Sequence, residues 1–154
     1  MVMLVIGCDH AGVELKSDII HRRNEIYEGE MSVNVMDMGT FGSKSVDYPD
    51  IVDRVIDSYK RNKENHEYVL GVLICGTGLG MSISANKHKG IRAALVTNPD
   101  LAKFSRQHND ANILCLGARG NVHNDVVFAW IKIFANTEFE GGRHKRRIEK
   151  IEEK

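Results

Sequence analysis

The 154-residue chain lacks several features that would place it in a class on composition alone. It has no formal net charge, because 21 lysine and arginine residues balance 21 aspartate and glutamate residues. That balance argues against bulk binding of nucleic acid. No apolar run approaches the ~20 residues of a membrane-spanning helix, so we expect no membrane insertion. Met1 leads straight into an apolar run without a basic segment, and we therefore expect no signal peptide.

Cysteine and proline are scarce. The three cysteines, Cys8, Cys75 and Cys115, are odd in number, far apart, and form no Cys-x-x-Cys pair. This usage fits reduced thiols in a cytoplasmic protein. We expect Cys8 and Cys115 to be small, buried core residues. The only two prolines, Pro49 and Pro99, stand where helices are expected to begin.

Short apolar runs alternate with helical patterns along the chain. Five runs predict buried strands, at residues 2–6, 33–36, 69–74, 91–96 and 113–116. Apolar residues recur at helical spacing over 51–59 and 122–134, and Asn98 is a candidate cap for a helix that begins at Pro99. This alternation predicts one α/β domain over residues 1–154, with a doubly wound parallel sheet and helices on both faces.

Three polar stretches are predicted to lie at the surface. Residues 25–32 and 60–67 are expected to be solvated helix ends or loops. Residues 143–154 are strongly charged, with Ile148 and Ile151 as their only aliphatic residues, and predict a helix on the surface or against a partner subunit. Four histidines in polar contexts are also expected at the surface, namely His21, His66, His88 and His123.

The most informative segment follows the third predicted strand and reads Cys75-Gly76-Thr77-Gly78-Leu79-Gly80. Its glycines let the backbone come close to a ligand. Amides at a helix N-terminus can bind an anion or a developing oxyanion, and the same helix terminus favours a thiolate at Cys75. A base beside such an oxyanion site is what proton abstraction next to a carbonyl requires.

Nucleotide binding is a rival interpretation of this loop. A dinucleotide fingerprint would place its third glycine at position 81, where the chain has Met81. The loop also follows the third strand instead of the first, and Thr97 and Asn98, not an acidic residue, end the next strand. No Gly-Lys-Ser/Thr sequence occurs, which disfavours a P-loop.

Polar residues also follow other strands. Asp9 and His10 come after the first strand and are candidates for a general acid or an anion ligand, although Asp9 could simply cap a helix. Arg119 follows the fifth strand. Because the carboxyl ends of parallel strands meet at one edge of the sheet, we expect Asp9, the glycine loop and Arg119 to share that edge.

Two further candidates lie on helices. His108, next to Asn109 at a helix end, is either functional or a surface residue. Arg143 and Arg147 are four residues apart and would share one helix face, which suits the oxygens of a phosphate. The alternative is a solvated basic face.

Seven segments together resemble the type B ribose-5-phosphate isomerases, whose fold the galactose-6-phosphate isomerase subunits share. The segments are Gly7-Cys8-Asp9-His10-Ala11-Gly12, Asp47-Tyr48-Pro49, Cys75-Gly76-Thr77-Gly78-Leu79-Gly80, Ser84-Ala85-Asn86-Lys87, Gly90-Ile91-Arg92-Ala93, Ser105-Arg106-Gln107-His108-Asn109-Asp110 and Glu140-Gly141-Gly142-Arg143-His144. The match runs nearly end to end and departs mainly at residues 25–32 and 60–67, which look longer than usual.

The resemblance implies a Rossmann-like, five-stranded parallel sheet and a homodimer, which in some members pairs into a tetramer, with active sites between subunits. It implies interconversion of D-ribose 5-phosphate and D-ribulose 5-phosphate through a cis-enediolate, in the non-oxidative branch of the pentose phosphate pathway. No metal, nucleotide or other cofactor is implied. Cys75 occupies the family's cysteine position and the early helix carries no carboxylate, which resembles the subgroup with a cysteine base.

The family's roles can be carried over residue by residue. Cys75 would move a proton between C2 and C1, and the amides of the loop would stabilise the enediolate, from Gly76 through Gly78 and Leu79 to Gly80. His108 of the neighbouring subunit would open the furanose ring, assisted by Asp9 and Thr77. Asn109 would hold sugar oxygens, and Tyr48 would line the pocket. The phosphate would be bound, partly across the interface, by His10, Arg119, Arg143 and Arg147.

Two alternatives stay open. One is isomerisation of a hexose 6-phosphate, either galactose or allose, because the spacing between the loop and the arginines sets substrate length. The presence of Cys75 and His108 in a single chain favours the pentose, since the galactose enzyme divides these residues between two unlike subunits. The other alternative is a non-catalytic protein that binds a sugar phosphate or a nucleotide. Cys75, Thr77, His108 and the paired arginines weigh against it.

Overall fold

The computed structural model describes every residue from Met1 to Lys154. Strands and helices alternate in the order β1 (Val2–Cys8), α1 (Val13–His21), β2 (Val33–Asp37), α2 (Tyr48–Lys63), β3 (Tyr68–Cys75), α3 (Leu79–Ala85), β4 (Ala93–Leu95), α4 (Pro99–Asn109), β5 (Ile113–Gly117), α5 (Asn124–Asn136) and α6 (Arg143–Glu152). A short 3-10 turn spans Arg23–Glu25. None of the helices has both the length and the apolar character needed to cross a bilayer.

All five strands are parallel and lie in the order β2-β1-β3-β5-β4. Strand β2 lies on one side of β1, whereas β3, β5 and β4 lie on its other side. The carboxyl ends of β1 and β3 therefore flank the point where the winding reverses, which is where open α/β sheets bind ligands. The Asp9 amide donates to the Ile74 carbonyl at 3.0 Å and joins the two strand ends there.

Helices cover both faces of the sheet, which confirms the predicted doubly wound, Rossmann-like α/β fold. One face packs against α1, α4 and α5 in a core of 21 buried residues, and the other packs against α2 and α3 in a core of 13. Neighbouring strand residues alternate between the two cores, so that Ile74 belongs to the first and Cys75 to the second. Strands buried on both faces read as continuous apolar runs, which is why the sequence predicted them.

The caps of the central helices also follow the sequence. Asn98 accepts a hydrogen bond from the Leu101 amide at 2.8 Å, so it caps α4 as predicted, and both prolines lie in the first turn of a helix. Helix α5 begins later than its apolar pattern suggests. The His123 side chain caps it, and Val122 and Val126 are exposed instead of buried.

Two expectations for the strands and loops were wrong in part. The fourth strand covers only Ala93–Leu95 instead of 91–96, because Ile91 is buried by packing against α2 and α3 and not by strand pairing. Residues 25–32 are not all solvated. Ile26 is fully buried in the first core, and its carbonyl accepts a hydrogen bond from Asn136 at 2.8 Å, which pins this loop to α5.

A buried ion pair ties α1 to the end of β2. Lys16 is only 2 % exposed, and its ammonium lies 2.6 Å from Asp37 Oδ1. The same ammonium donates to the Thr40 carbonyl at 2.7 Å. Because its partners replace the water that it loses, Lys16 is tolerated in the interior.

We predict that Lys16→Ala lowers the free energy of unfolding by about 2–3 kcal/mol, because it leaves the Asp37 carboxylate and the Thr40 carbonyl without their partner. Asp37 is partly solvated, so the loss should stay at the low end for a broken buried pair. Urea unfolding measures it, and the exposed Lys103→Ala variant is the control. A loss no greater than that of Lys103→Ala would show that the ion pair does not stabilise the fold.

Candidate active site

The loop after β3 has the strand, turn and helix that the sequence predicted. Gly78 adopts a left-handed conformation with φ of 79°, which favours glycine, and α3 starts at the next residue. The turn brings the Gly78 amide back toward Cys75, and the N–H donates to Sγ at 3.2 Å. Thr77 Oγ1 accepts a hydrogen bond from the Leu79 amide at 3.2 Å.

The other two cysteines have no such contact. Cys8 and Cys115 are completely buried. Burial raises the pKa of the Cys8 thiol to about 11 and also raises the pKa of Cys115, so both stay protonated at neutral pH. Cys75 is thus the one cysteine of the three that lies at a strand end with an amide aimed at its sulfur.

Two side chains from other elements lie against the glycine loop. The Tyr48 ring, from the start of α2, packs on Gly80 so closely that a Cβ at this position would lie 2.6 Å from it. On the other side Arg119 follows β5, and its amide donates to the Gly76 carbonyl at 2.9 Å. The loop therefore has an aromatic wall and a guanidinium beside it.

Asp9 and His10 lie at the same edge of the sheet. Asp9 is 7 % exposed, and its Oδ1 accepts a hydrogen bond from the Ala11 amide at 2.9 Å, so it also stabilises its own turn. His10 Nδ1 accepts from the Val46 amide at 3.4 Å. The structure thus brings seven predicted positions to the carboxyl edge beside the loop: Asp9, His10, Tyr48, Cys75, Thr77, Gly80 and Arg119.

A second group of predicted residues lies at the opposite edge. Helix α4 is 11 residues long, or about 16 Å, and runs from the carboxyl end of β4 back to the amino end of β5. His108 and Asn109 are its last residues. Arg92, which directly precedes β4, donates to the Asn109 carbonyl at 3.0 Å. Within one chain, His108 and Cys75 therefore lie at opposite edges of the sheet.

Helix α6 brings Arg143 and Arg147 to the same edge as His108. Its first turn packs on the end of α4, where the His144 ring stacks on the His108 ring with centroids 4.5 Å apart. Phe104 stacks on the His108 ring at 5.0 Å. His144 and Phe104 were not assigned roles from the sequence, although His144 belongs to the segment Glu140-Gly141-Gly142-Arg143-His144.

His144 is a buried base without a hydrogen bond at one ring nitrogen. The residue is 7 % exposed, and its Nε2 lies 3.5 Å from Glu140 Oε2 without making a hydrogen bond. Burial lowers the pKa of His144, and the positive charge of Arg143 lowers that pKa further. His144 is therefore neutral at physiological pH.

One ligand atom from each of His108, Glu140 and His144 lies within 4.8 Å of the others, which is a spacing compatible with a metal ion. The ring geometry argues against one. The two imidazole rings are stacked with an angle of 15° between their planes. The nitrogen lone pairs lie in the ring planes, so the lone pairs of the two rings lie in nearly parallel planes. A single ion cannot lie in both planes unless one ring leaves the stack.

A cavity of about 500 Å³ also opens at the amino edge. Three tyrosines line it, namely Tyr27, Tyr59 and Tyr68, together with two arginines. Those guanidinium groups are already committed, because Arg92 pairs with Glu152 and Arg106 pairs with Asp110. Lys63 also lines the cavity, and its ammonium donates to the Glu67 carbonyl at 3.0 Å, so it is the one cation of the lining without a carboxylate partner.

Comparison with known proteins gives a consistent result. The family model described as Ribose/Galactose Isomerase matches residues 4–151. The chain is 39% identical over 154 residues to ribose-5-phosphate isomerase B of Escherichia coli, covering 98% of this chain and 95% of that protein.

Solved structures extend the likeness to three dimensions. The ribose 5-phosphate isomerase of Thermotoga maritima superposes with a TM-score of 0.86 at 42% identity, covering 99% of both chains. Ribose-5-phosphate isomerase B of Mycoplasma genitalium, solved with bound ribulose-5-phosphate, has a TM-score of 0.85 at 40% identity and covers 99% of this chain and 95% of its own.

The lowered pKa of His144 predicts an acid-sensitive fold. The unfolded chain takes up a proton at this residue near pH 6.5, whereas the folded chain does so only at lower pH, so folding loses free energy as the pH falls. The groups that face His144 are Arg143, Arg147, His108 and Glu140. We expect His144→Phe to lose less stability than the wild type between pH 7.5 and pH 5.5 in urea unfolding. Parallel losses in the two proteins would contradict a neutral, buried His144.

Proposed function

The chain belongs to the ribose/galactose isomerase family, and from this premise we propose that it interconverts D-ribose 5-phosphate and D-ribulose 5-phosphate through a cis-enediolate. The observation that carries the proposal is the Cys75 sulfur, which lies at the carboxyl end of β3 and accepts the Gly78 amide within a glycine loop. Relatives that share this fold over nearly the whole chain are named for the same reaction, and one of them was solved with ribulose-5-phosphate.

The proposed chemistry uses Cys75 as the base. Its thiolate removes the proton from C2 of the open-chain aldose, the electrons move to the C1 carbonyl oxygen, and an enediolate forms. Cys75 then returns the proton to C1, while the C2 hydroxyl passes its proton to the negative C1 oxygen, and the ketose results. Amides of the loop from Gly76 to Gly80 stabilise the negative oxygen, and one such donor contributes about 3 kcal/mol to the transition state.

A second copy of the chain completes the proposed site. Ribose 5-phosphate is mostly a closed furanose, so a group must open the ring before Cys75 can act. His108 is the candidate for that step, yet it lies at the amino edge of its own sheet, beside Arg92 and Asn109. We therefore assign ring opening to His108 of a partner subunit, in a homodimer whose two sites each draw on both chains.

The same geometry divides the phosphate ligands. His10 and Arg119 lie at the carboxyl edge of the subunit that supplies Cys75, and they act in cis. Arg143 and Arg147 lie on α6 beside His108 and come from the partner with it. The partner's Asn109 follows His108 and holds the sugar oxygens, while Asp9, Thr77 and Tyr48 border the reacting end.

We predict that Cys75→Ala lowers turnover of ribose 5-phosphate by a factor of about 10²–10⁴, the range that a positioned base contributes. An NMR or coupled assay of ribulose 5-phosphate formation measures it, and Cys115→Ala, which removes the fully buried thiol of the neighbouring strand β5, is the matched control. Near-normal turnover in Cys75→Ala would exclude the base assignment. Turnover of galactose 6-phosphate or allose 6-phosphate but not of the pentose would contradict the proposed substrate.

The shared site predicts complementation between two inactive variants. Cys75→Ala and His108→Asn homodimers should each be nearly inactive on ribose 5-phosphate. A mixed dimer of the two carries one site with both residues intact, and it should recover about half of the activity of one wild-type dimer. Co-expression with two affinity tags isolates the mixed dimer. If it stays inactive while wild-type chains purified in this way are active, the two residues do not act across an interface.

A further inference from the structure

His144 is a buried residue that the proposed reaction leaves without a role. Its Nε2 has no hydrogen-bond partner, although the residue is only 7 % exposed. An unpaired buried nitrogen destabilises a fold. A phenylalanine of nearly the same shape would pack against the His108 ring without that cost. The nitrogen is therefore not explained by packing, which points to a role in the reaction.

The first contribution of His144 is orientation. His108 lies near the end of an exposed helix, where a side chain is ordinarily free to change rotamer. Here its ring is held on one face by Phe104 at 5.0 Å and on the other by His144 at 4.5 Å, each at 15°. A ring held on both faces keeps its nitrogens in a fixed direction, and positional accuracy of this kind is what proton transfer requires.

The second contribution is charge. Glu140 is tied to α4, because its amide donates to the Gln107 carbonyl at 3.1 Å, next to His108. Its carboxylate side chain would otherwise be free to turn into solvent. Its Oε2 lies 3.5 Å from His144 Nε2, and ligand atoms of Glu140, His144 and His108 all lie within 4.8 Å of one another, so the carboxylate stands beside both rings. This geometry places a negative charge beside the proposed proton donor.

We propose that His144 is a positioning residue, which stacks on His108 and lies beside Glu140 so that His108 acts as the proton donor in ring opening. In that step the bond between C1 and the ring oxygen O4 breaks, O4 takes the proton from His108, and the C1 hydroxyl gives its proton to the Asp9 carboxylate and becomes the carbonyl. This inference rests on the proposed function and deepens it, since it concerns the residues that serve His108.

Two measurements separate ring opening from the chemistry at Cys75. Turnover of ribose 5-phosphate requires both steps. Exchange of the C1 hydrogen of ribulose 5-phosphate with solvent deuterium requires only the base and the enediolate. Ribulose 5-phosphate has no furanose form, because its O5 carries the phosphate. Both rates are measured at saturating substrate by NMR, together with heat unfolding.

Three variants divide the two contributions. His144→Ala loses the stack and the nitrogen, and its turnover should fall about 10- to 100-fold while exchange stays within twofold. Glu140→Gln, which loses only the charge, and His144→Phe, which keeps the stack, should each fall less than His144→Ala. His144→Phe should also unfold at a temperature no lower than the wild type. The exposed His21→Ala and Glu149→Gln variants are controls and should match the wild type.

Each outcome is informative. If His144→Ala turns over ribose 5-phosphate within twofold of the wild type, or if turnover and exchange fall together, the positioning role is wrong. Equal turnover in His144→Phe and His144→Ala would contradict the contribution of the stack. If the wild type exchanges the hydrogen of ribulose 5-phosphate but forms no ribose 5-phosphate, or does neither, the proposed function itself fails.

Discussion

A parallel sheet buried on both faces sends the carboxyl ends of all five strands to one edge, and the rest of the molecule depends on this constraint. It brings together Asp9, Cys75 and Arg119 at the ends of three different strands, although the three residues are far apart in the sequence. The same constraint sends each connecting helix back to the opposite edge. His108, at the end of α4, is therefore kept away from the Cys75 of its own chain. The topology that builds half of the proposed site is therefore the reason for the proposal that a second chain supplies the other half.

Much of the fold could be predicted because burial on both faces leaves a strong signal in the sequence. Strands β1, β3 and β5 are continuous apolar runs, and strand–helix alternation implies the parallel sheet. The signal fails where apolar residues are buried for another reason. Ile91 packs under α2 and α3 outside β4, and Ile26 anchors a charged loop to α5. Neither residue belongs to a periodic apolar pattern in the sequence.

The site was predictable to the extent that its chemistry lies in local sequence. The Cys75 loop needs only a strand, glycines and a helix start, and all three are contiguous. The stack of Phe104, His108 and His144 depends instead on α6 packing against α4, which is a tertiary contact. The roles of these residues stay predictions, because they depend further on how two chains meet.

Two buried polar residues, Lys16 and His144, differ in whether their polar atoms have partners. Lys16 enters the interior with a carboxylate and a carbonyl to receive its ammonium, so stability alone explains it. His144 is buried to a similar degree, yet its Nε2 has no partner and its pKa is lowered. A residue that weakens the fold needs another reason to be there. The adjacent ring of His108, which the proposed reaction requires, supplies that reason.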